Sequence, residues 1–245
     1  MTDPTTDDPN PGDPAPPRPS APGAPVSASR LAELMGDQLP LVDSIPDEAF
    51  ALTAAVRDLV EAVVLNDLPA PDLAQATEQV HALTADLRRH QRDHLQLVRH
   101  PDGRIESLRN AGAGRLNPQA PPLEWLHRPT EPPPGTPPEA VEVTARCVFT
   151  AAHGGSPGRV YGGVIALVLD EVTGIAIRVA GASGMTVALN VSLKGGVPIG
   201  APATIVARYT GGEGRKSFAS GEMTIDGKVV AEASVIYVAE RTASA

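Results

Sequence analysis

The chain has 245 residues, a formal net charge of −9, 26 prolines and only 3% aromatic residues, so its core must be built from aliphatic side chains. A single cysteine, Cys147, excludes an intrachain disulfide and a cysteine-rich zinc site. No basic and apolar leader opens the sequence and no run of 18 apolar residues occurs, so we expect a cytoplasmic protein without a membrane span.

Charge is unevenly placed. From Glu139 onward nine acidic residues balance nine basic ones, so the excess negative charge lies upstream. No basic face stands out, which argues against a nucleic-acid partner.

Residues 1–28 hold nine prolines and four aspartates with almost no large apolar side chain. Such a composition cannot offset the entropy of ordering, so a disordered tail is expected. Residues 29–97 read as a helical hairpin. Ser44 and Pro46 suit the start of one helix, whose stripe is Leu52, Val56, Leu59, Val60, Val63 and Val64. Asp72 suits the cap of a second, with Leu73, Ala76, Val80, Leu83 and Leu87 spaced as a heptad seam. The stripes are expected to pack on another part of the protein. Residues 98–138, crowded with prolines, read as a connecting segment without strand or helix, pinned to its neighbour by Trp125.

At Glu139 the period changes to two. Val141, Val143, Ala145, Cys147 and Phe149 alternate with Glu142, Thr144, Arg146 and Thr150, as in a half-buried strand. Gly162 to Ile177 follows as a helix apolar nearly all round, hence buried on most sides. Four strands are then read at about 185–195, 200–210, 214–225 and 228–239, the last two joined at Asp226-Gly227. This order predicts an α+β fold over 139–245: an antiparallel sheet wrapped around a central helix, carrying an N-terminal α-helical extension.

Two features of that helix suggest chemistry. Asp170 is a carboxylate in an apolar run, where burial is costly without partners. It either escapes to the surface or serves as a base or nucleophile in a dry site. Gly162-Gly163 either makes a tight turn or bares helix-start amides, the positive end of the dipole, to a carbonyl oxygen. Eight residues separate Gly162 from Asp170, roughly 12 Å along a helix. One carbonyl cannot meet both within one chain, so a functional reading requires a second subunit.

Residues 161–171 (YGGVIALVLDE) resemble the HGG-x6-DE signature of hotdog-fold acyl-CoA thioesterases of the PaaI/4HBT type. Residues 186–191 (TVALNV), 214–216 (GRK) and 227–233 (GKVVAEA) resemble further elements of that family at agreeing spacings. Upstream, 117–123 (NPQAPPL) is similar to a segment of a bacterial subgroup, whereas 29–97 has no counterpart. The resemblance implies acyl-CoA hydrolysis by a homodimer or dimer of dimers, with no metal and no cofactor. It implies Asp170 as catalytic acid or base, Gly162 as the polarising amide and Thr186 as the hydroxyl that holds water or carboxylate. Tyr161, Gly163, Gly214, Arg215 and Lys216 are implied substrate contacts, the basic pair on coenzyme A phosphates. Thr186 by itself reads as an ordinary strand threonine, and the basic pair as a solvated strand end.

Tyr161 departs from the pattern, because the family has His there. The chain's own His153-Gly154-Gly155 is out of register and reads as a loop. A non-catalytic acyl-CoA-binding protein on the same fold is the competing reading. A hotdog hydratase is rejected, since Ile175 stands where that subfamily has His.

Overall fold

A computed structural model describes residues 38–91, 97–132 and 136–239. The tail read at 1–28, the first residues of the helical region, the stretch 92–96 and the last six residues lie outside the described residues.

Two long helices come first, α1 (Asp47–Leu65) and α2 (Ala70–Arg88), after a short 3-10 turn at Val42–Ser44. Their starts correct two expected caps. Pro46 and Pro69 occupy the cap positions, Ser44 spends its hydroxyl on the Leu41 carbonyl, and Asp72 lies inside the first turn of α2. Helix α1 therefore begins three residues after Ser44 and α2 two residues before Asp72; a proline suits such a start because its missing N–H has no intrahelical acceptor there.

The apolar stripes do not pack where expected. Helix α1 docks through a polar face, residues 53, 57 and 61. Arg57 Nη2 donates to the Asn117 carbonyl at 3.0 Å, and the Ala151 N–H donates to Glu61 Oε1 at 3.1 Å. Its partners are backbone groups, which a polar face can satisfy and a leucine stripe cannot. Thr53 is the only buried residue of α1, and α2 has none.

The segment 98–138 also departs from expectation. It contributes to a two-stranded ribbon, β1 (Leu97–Arg99) with β2 (Ile105–Ser107), and a sheet strand, β3 (Leu123–His127). Prolines 118, 121, 122 and 129 flank β3 without entering it, so its N–H groups remain free to pair. Val98, Leu108 and Leu116 form a small core that receives Val42, Ile45, Ala49 and Phe50, tying the start of α1 to this segment. Trp125 sits in β3 opposite Ala145 and packs on the main core, as the pinning role required.

The main sheet is six-stranded and antiparallel, ordered β3-β4-β6-β7-β8-β5. The added strands are β4 (Glu142–Val148), β5 (Met185–Leu193), β6 (Pro202–Glu213), β7 (Lys216–Ile225) and β8 (Lys228–Val238). In β4 the inward residues Val143, Ala145 and Cys147 are buried while alternate residues are not, as the period-two pattern demands. Asp226 and Gly227 both take positive φ, 48° and 73°, the backbone that closes a two-residue hairpin between twisted strands. Helix α3 (Gly162–Val179) lies across the sheet and supplies Ile165, Val168, Leu169, Val172, Ile175, Ala176 and Val179 to the core. Burial raises the Cys147 thiol to about 12, so it is a small core residue and not a nucleophile.

Candidate active site

Asp170 lies on a half-buried face of α3, between the core and the surface. Thr186, on β5, donates its hydroxyl to Asp170 Oδ1 at 2.9 Å. A register shift between Thr186 and Ala188 interrupts the β5–β8 ladder at this point and re-aims the strand. The structure therefore joins the two residues that sequence placed 16 positions apart.

At the start of the same helix, eight residues before Asp170, Tyr161 precedes the first turn and the Val164 N–H donates to its carbonyl at 3.0 Å. The amides of Gly162 and Gly163 thus belong to the turn that lacks intrahelical acceptors. Both glycines lie against the ends of neighbouring side chains, which would have to shift to admit a Cβ. A Cβ on Gly162 would come within 2.9 Å of Leu193 Cδ1, and one on Gly163 within 2.7 Å of the Tyr161 ring. The Tyr161 side chain is 62% exposed.

The His-Gly-Gly loop has a structural task. The Tyr161 N–H donates to the His153 carbonyl at 2.9 Å, and a Cβ on Gly155 would press on Tyr161. His153 Nδ1 accepts the Thr150 N–H at 3.1 Å and its ring meets Phe149 edge-on at 5.7 Å. Burial lowers its basicity, although the Thr150 contact opposes that. His153 is the loop residue the register implied, and it seats the residue that begins the helix.

The basic turn closes β6 onto β7, with Gly214 at φ 59°. Arg215 and Lys216 are exposed, and Arg215 Nη1 donates to the Ala239 carbonyl at 3.0 Å. Lys216 is opposite Val238, which is opposite Met185, so the turn sits two strands from the neighbour of Thr186. That is about 10 Å at the usual strand spacing. Asp170, Thr186 and the basic turn share one end of the sheet. Gly162 lies about two helical turns away, roughly 12 Å, as eight residues of spacing required.

Three contributors were not legible beforehand. Glu171 Oε2 accepts from Asn110 Nδ2 at 3.0 Å, clamping the 108–116 loop to α3. Tyr237, on β8, places its hydroxyl against the Asp170 backbone. Gly174 makes room for that hydroxyl. A lone glycine inside an apolar helix was the available signal, because it costs about 1 kcal/mol relative to alanine. Among the described residues no cluster of His, Cys, Asp or Glu could hold a metal ion, and no helix is long and apolar enough to cross a membrane.

No protein-family model and no curated protein matches the sequence. Solved structures do match. A thioesterase superfamily protein aligns over 82% of this chain and 93% of its own, at 25% identity and a TM-score of 0.66. The fold is the hotdog fold of the thioesterase superfamily. Thioesterase superfamily member 2 from zebrafish matches 54% of the chain and 89% of its own, at 21% identity and a TM-score of 0.44. A hypothetical thioesterase protein from Streptococcus pneumoniae, crystallised with coenzyme A, matches 49% of the chain and 91% of its own, at 14% identity and a TM-score of 0.42. The hotdog sheet and its helix are as the sequence implied. Their six strands exceed the five expected, because β3 joins an edge.

Proposed function

We propose that this protein is an acyl-CoA thioesterase of the PaaI/4HBT type that works as a homodimer. The observation that carries the reading is the 2.9 Å bond from Thr186 to Asp170 on the central helix of a hotdog fold. Thr186 holds one carboxylate oxygen, leaving the other to act on water. Water oxygen attacks the thioester carbon as Asp170 takes its proton, the C–S bond breaks, and the proton passes to the leaving thiolate. The products are a free acid and coenzyme A, with no redox step. Amide donors at the start of α3, Gly162 first, are suited to the developing oxyanion.

The separation of Gly162 from Asp170 supports drawing the oxyanion donor from a second subunit. Strand β5 supports such a partner. It is an edge strand of nine residues whose Met185, Val187 and Leu193 are exposed, and an edge of that kind invites pairing. Arg215 and Lys216 suit coenzyme A phosphates, where charge-assisted bonds form readily. A lone free cysteine fits the reducing cytoplasm.

A panel of acyl-CoAs assayed with a thiol reagent tests the reading. Turnover that Asp170→Asn lowers at least ~100-fold, with fold and dimer intact, is the expected result. Arg215→Ala should raise KM more than it lowers kcat, because phosphate binding is remote from the bond broken. The exposed Tyr161, standing where the family has His, favours the second reading, a non-catalytic acyl-CoA-binding protein. Binding of coenzyme A esters without turnover on any of the panel would establish that reading instead. Gain of rate in Tyr161→His, with Tyr161→Phe unchanged, would show an active but slowed enzyme.

A further inference from the structure

We propose that the cleft between β2, the 108–116 loop, β3 and α3 is a binding site for a small carboxylate with a short apolar body. Neither Asp170 nor Thr186 lines it, and the proposal does not rest on the thioesterase reading. Glu171, Ile175 and Arg178 face it from α3, at spacings of four and three that place them on one side of the helix. Trp125 lines it from β3, Arg128 from the residues just after, and Ile105 from β2. About 360 Å³ of empty space lies between these elements, part of it open to solvent.

Unmet donors decide what the cleft takes. The Arg128 side chain is only 10% exposed. A guanidinium carries five N–H donors. Here Nη2 donates to Glu131 Oε1 at 3.0 Å, while Nε is buried without a partner among the described residues. The guanidinium carbon lies 5.3 Å from the centre of the Trp125 ring, which holds the group in place. Arg178 has no hydrogen-bond or ion-pair partner among the described residues. Burial first, and then the charges of Arg104 and Arg178, lower Arg128 to about 10, so it stays protonated at neutral pH. Donors left unmet in a partly dry cleft are costly, and the two oxygens of a carboxylate match the guanidinium fork.

The acids of the lining already have donors. Arg115 Nε and Nη2 donate to the two oxygens of Glu106 at 2.9 and 3.1 Å, and Asn110 Nδ2 donates to Glu171 Oε2 at 3.0 Å. Asn110 Oδ1 also accepts the Ala113 N–H at 3.1 Å, which braces the loop. Seven residues separate Glu171 from Arg178, roughly 10 Å along the helix, so the acidic and basic ends of the cleft lie apart. Ile175 stands between them, with Trp125 and Ile105 contributed by the strands. The basic end suits the carboxylate head and the apolar middle suits its body.

Trp125 is the chain's only tryptophan, so its fluorescence reports on this cleft. The full chain is titrated with cyclohexanecarboxylate, by fluorescence and by calorimetry. Saturable binding with a Kd at or below about 1 mM is expected. Cyclohexanecarboxamide, of the same shape without the charge, should bind at least ~10-fold more weakly. Arg178 is partly exposed, so its replacement should leave the thermal transition in place. Arg178→Gln should weaken the carboxylate about 10- to 100-fold while the carboxamide changes less than about twofold. Arg178→Lys, which keeps the charge and loses the fork, should fall between. No saturation by about 10 mM overturns the proposal, as does equal binding of carboxylate and carboxamide. An unchanged Kd in a folded Arg178→Gln overturns it too, and tighter binding of inorganic phosphate than of the carboxylate overturns the ligand class. Turnover is not read, so a chain that hydrolyses no acyl-CoA would sink the thioesterase reading and leave this result intact.

Discussion

Helix α3 and the α1–α2 pair both carry aliphatic stripes yet use them in opposite ways. In α3, nine of eighteen residues are buried, and the sheet receives them along its width. In α1 and α2, Thr53 alone is buried across two nineteen-residue helices. Val63 remains 58% exposed and Leu83 43%. An apolar stripe is thus a demand for cover and not a statement of where cover is. The sheet supplies it for α3. For the pair, the body presents the Asn117 carbonyl and the Ala151 N–H, and the helix turns its polar face to them.

This contrast can be broken by charge. Val172→Asp places a carboxylate at a fully buried site without a partner, which costs several kcal/mol, about enough to unfold an ordinary domain. Loss of the cooperative thermal transition and of near-UV circular dichroism is expected. A folded variant would mean that α3 is not the keystone of the sheet.

Leu169→Ala sharpens the same point with a smaller change. Leu169 is fully buried against the sheet, and removing its side chain should cost about 2–5 kcal/mol in urea unfolding. The equivalent truncation in the extension, Leu83→Ala, should cost under about 1 kcal/mol, since less than two thirds of that side chain leaves water on folding. Equal losses at the two sites would abolish the distinction drawn between the helices.

Charge on the extension gives a smaller effect again. Val63→Asp, at a position 58% exposed, should change unfolding free energy by no more than about 0.5 kcal/mol, the usual range for exposed positions. A loss comparable to Val172→Asp would show that its stripe is covered in solution. The smallest expected effect is chemical. Cys147 should resist thiol reagents at pH 8 in the native protein and react only on unfolding, because burial holds its thiol at about 12. Rapid native labelling would show that β4 opens.

Much of the hotdog region could be read in advance because its signals are local. Period-two alternation places Val143, Ala145 and Cys147 inward, Asp226-Gly227 closes its hairpin by backbone preference, and an all-round apolar run makes α3 a buried helix. The pairing of Thr186 with Asp170 was reachable only through resemblance. Nothing about a strand threonine tells which helix residue it will face, since that depends on sheet order and on a register shift 16 residues away.

The sequence by itself determined the element types, their order and the residues with something to hide: Leu169, Val172 and the alternating face of β4. It also determined that Gly162 and Asp170 cannot act on one carbonyl from one chain, because helix rise fixes their distance. Tertiary structure alone decided the rest. It put β3 on the sheet edge between prolines, where free N–H groups could pair. It turned α1 onto its polar face, because backbone groups on the body required polar partners. It set Tyr237 into the gap at Gly174, joining β8 to Asp170 across 67 positions. Such contacts depend on which surfaces meet, and residue patterns along a chain carry only what each surface needs.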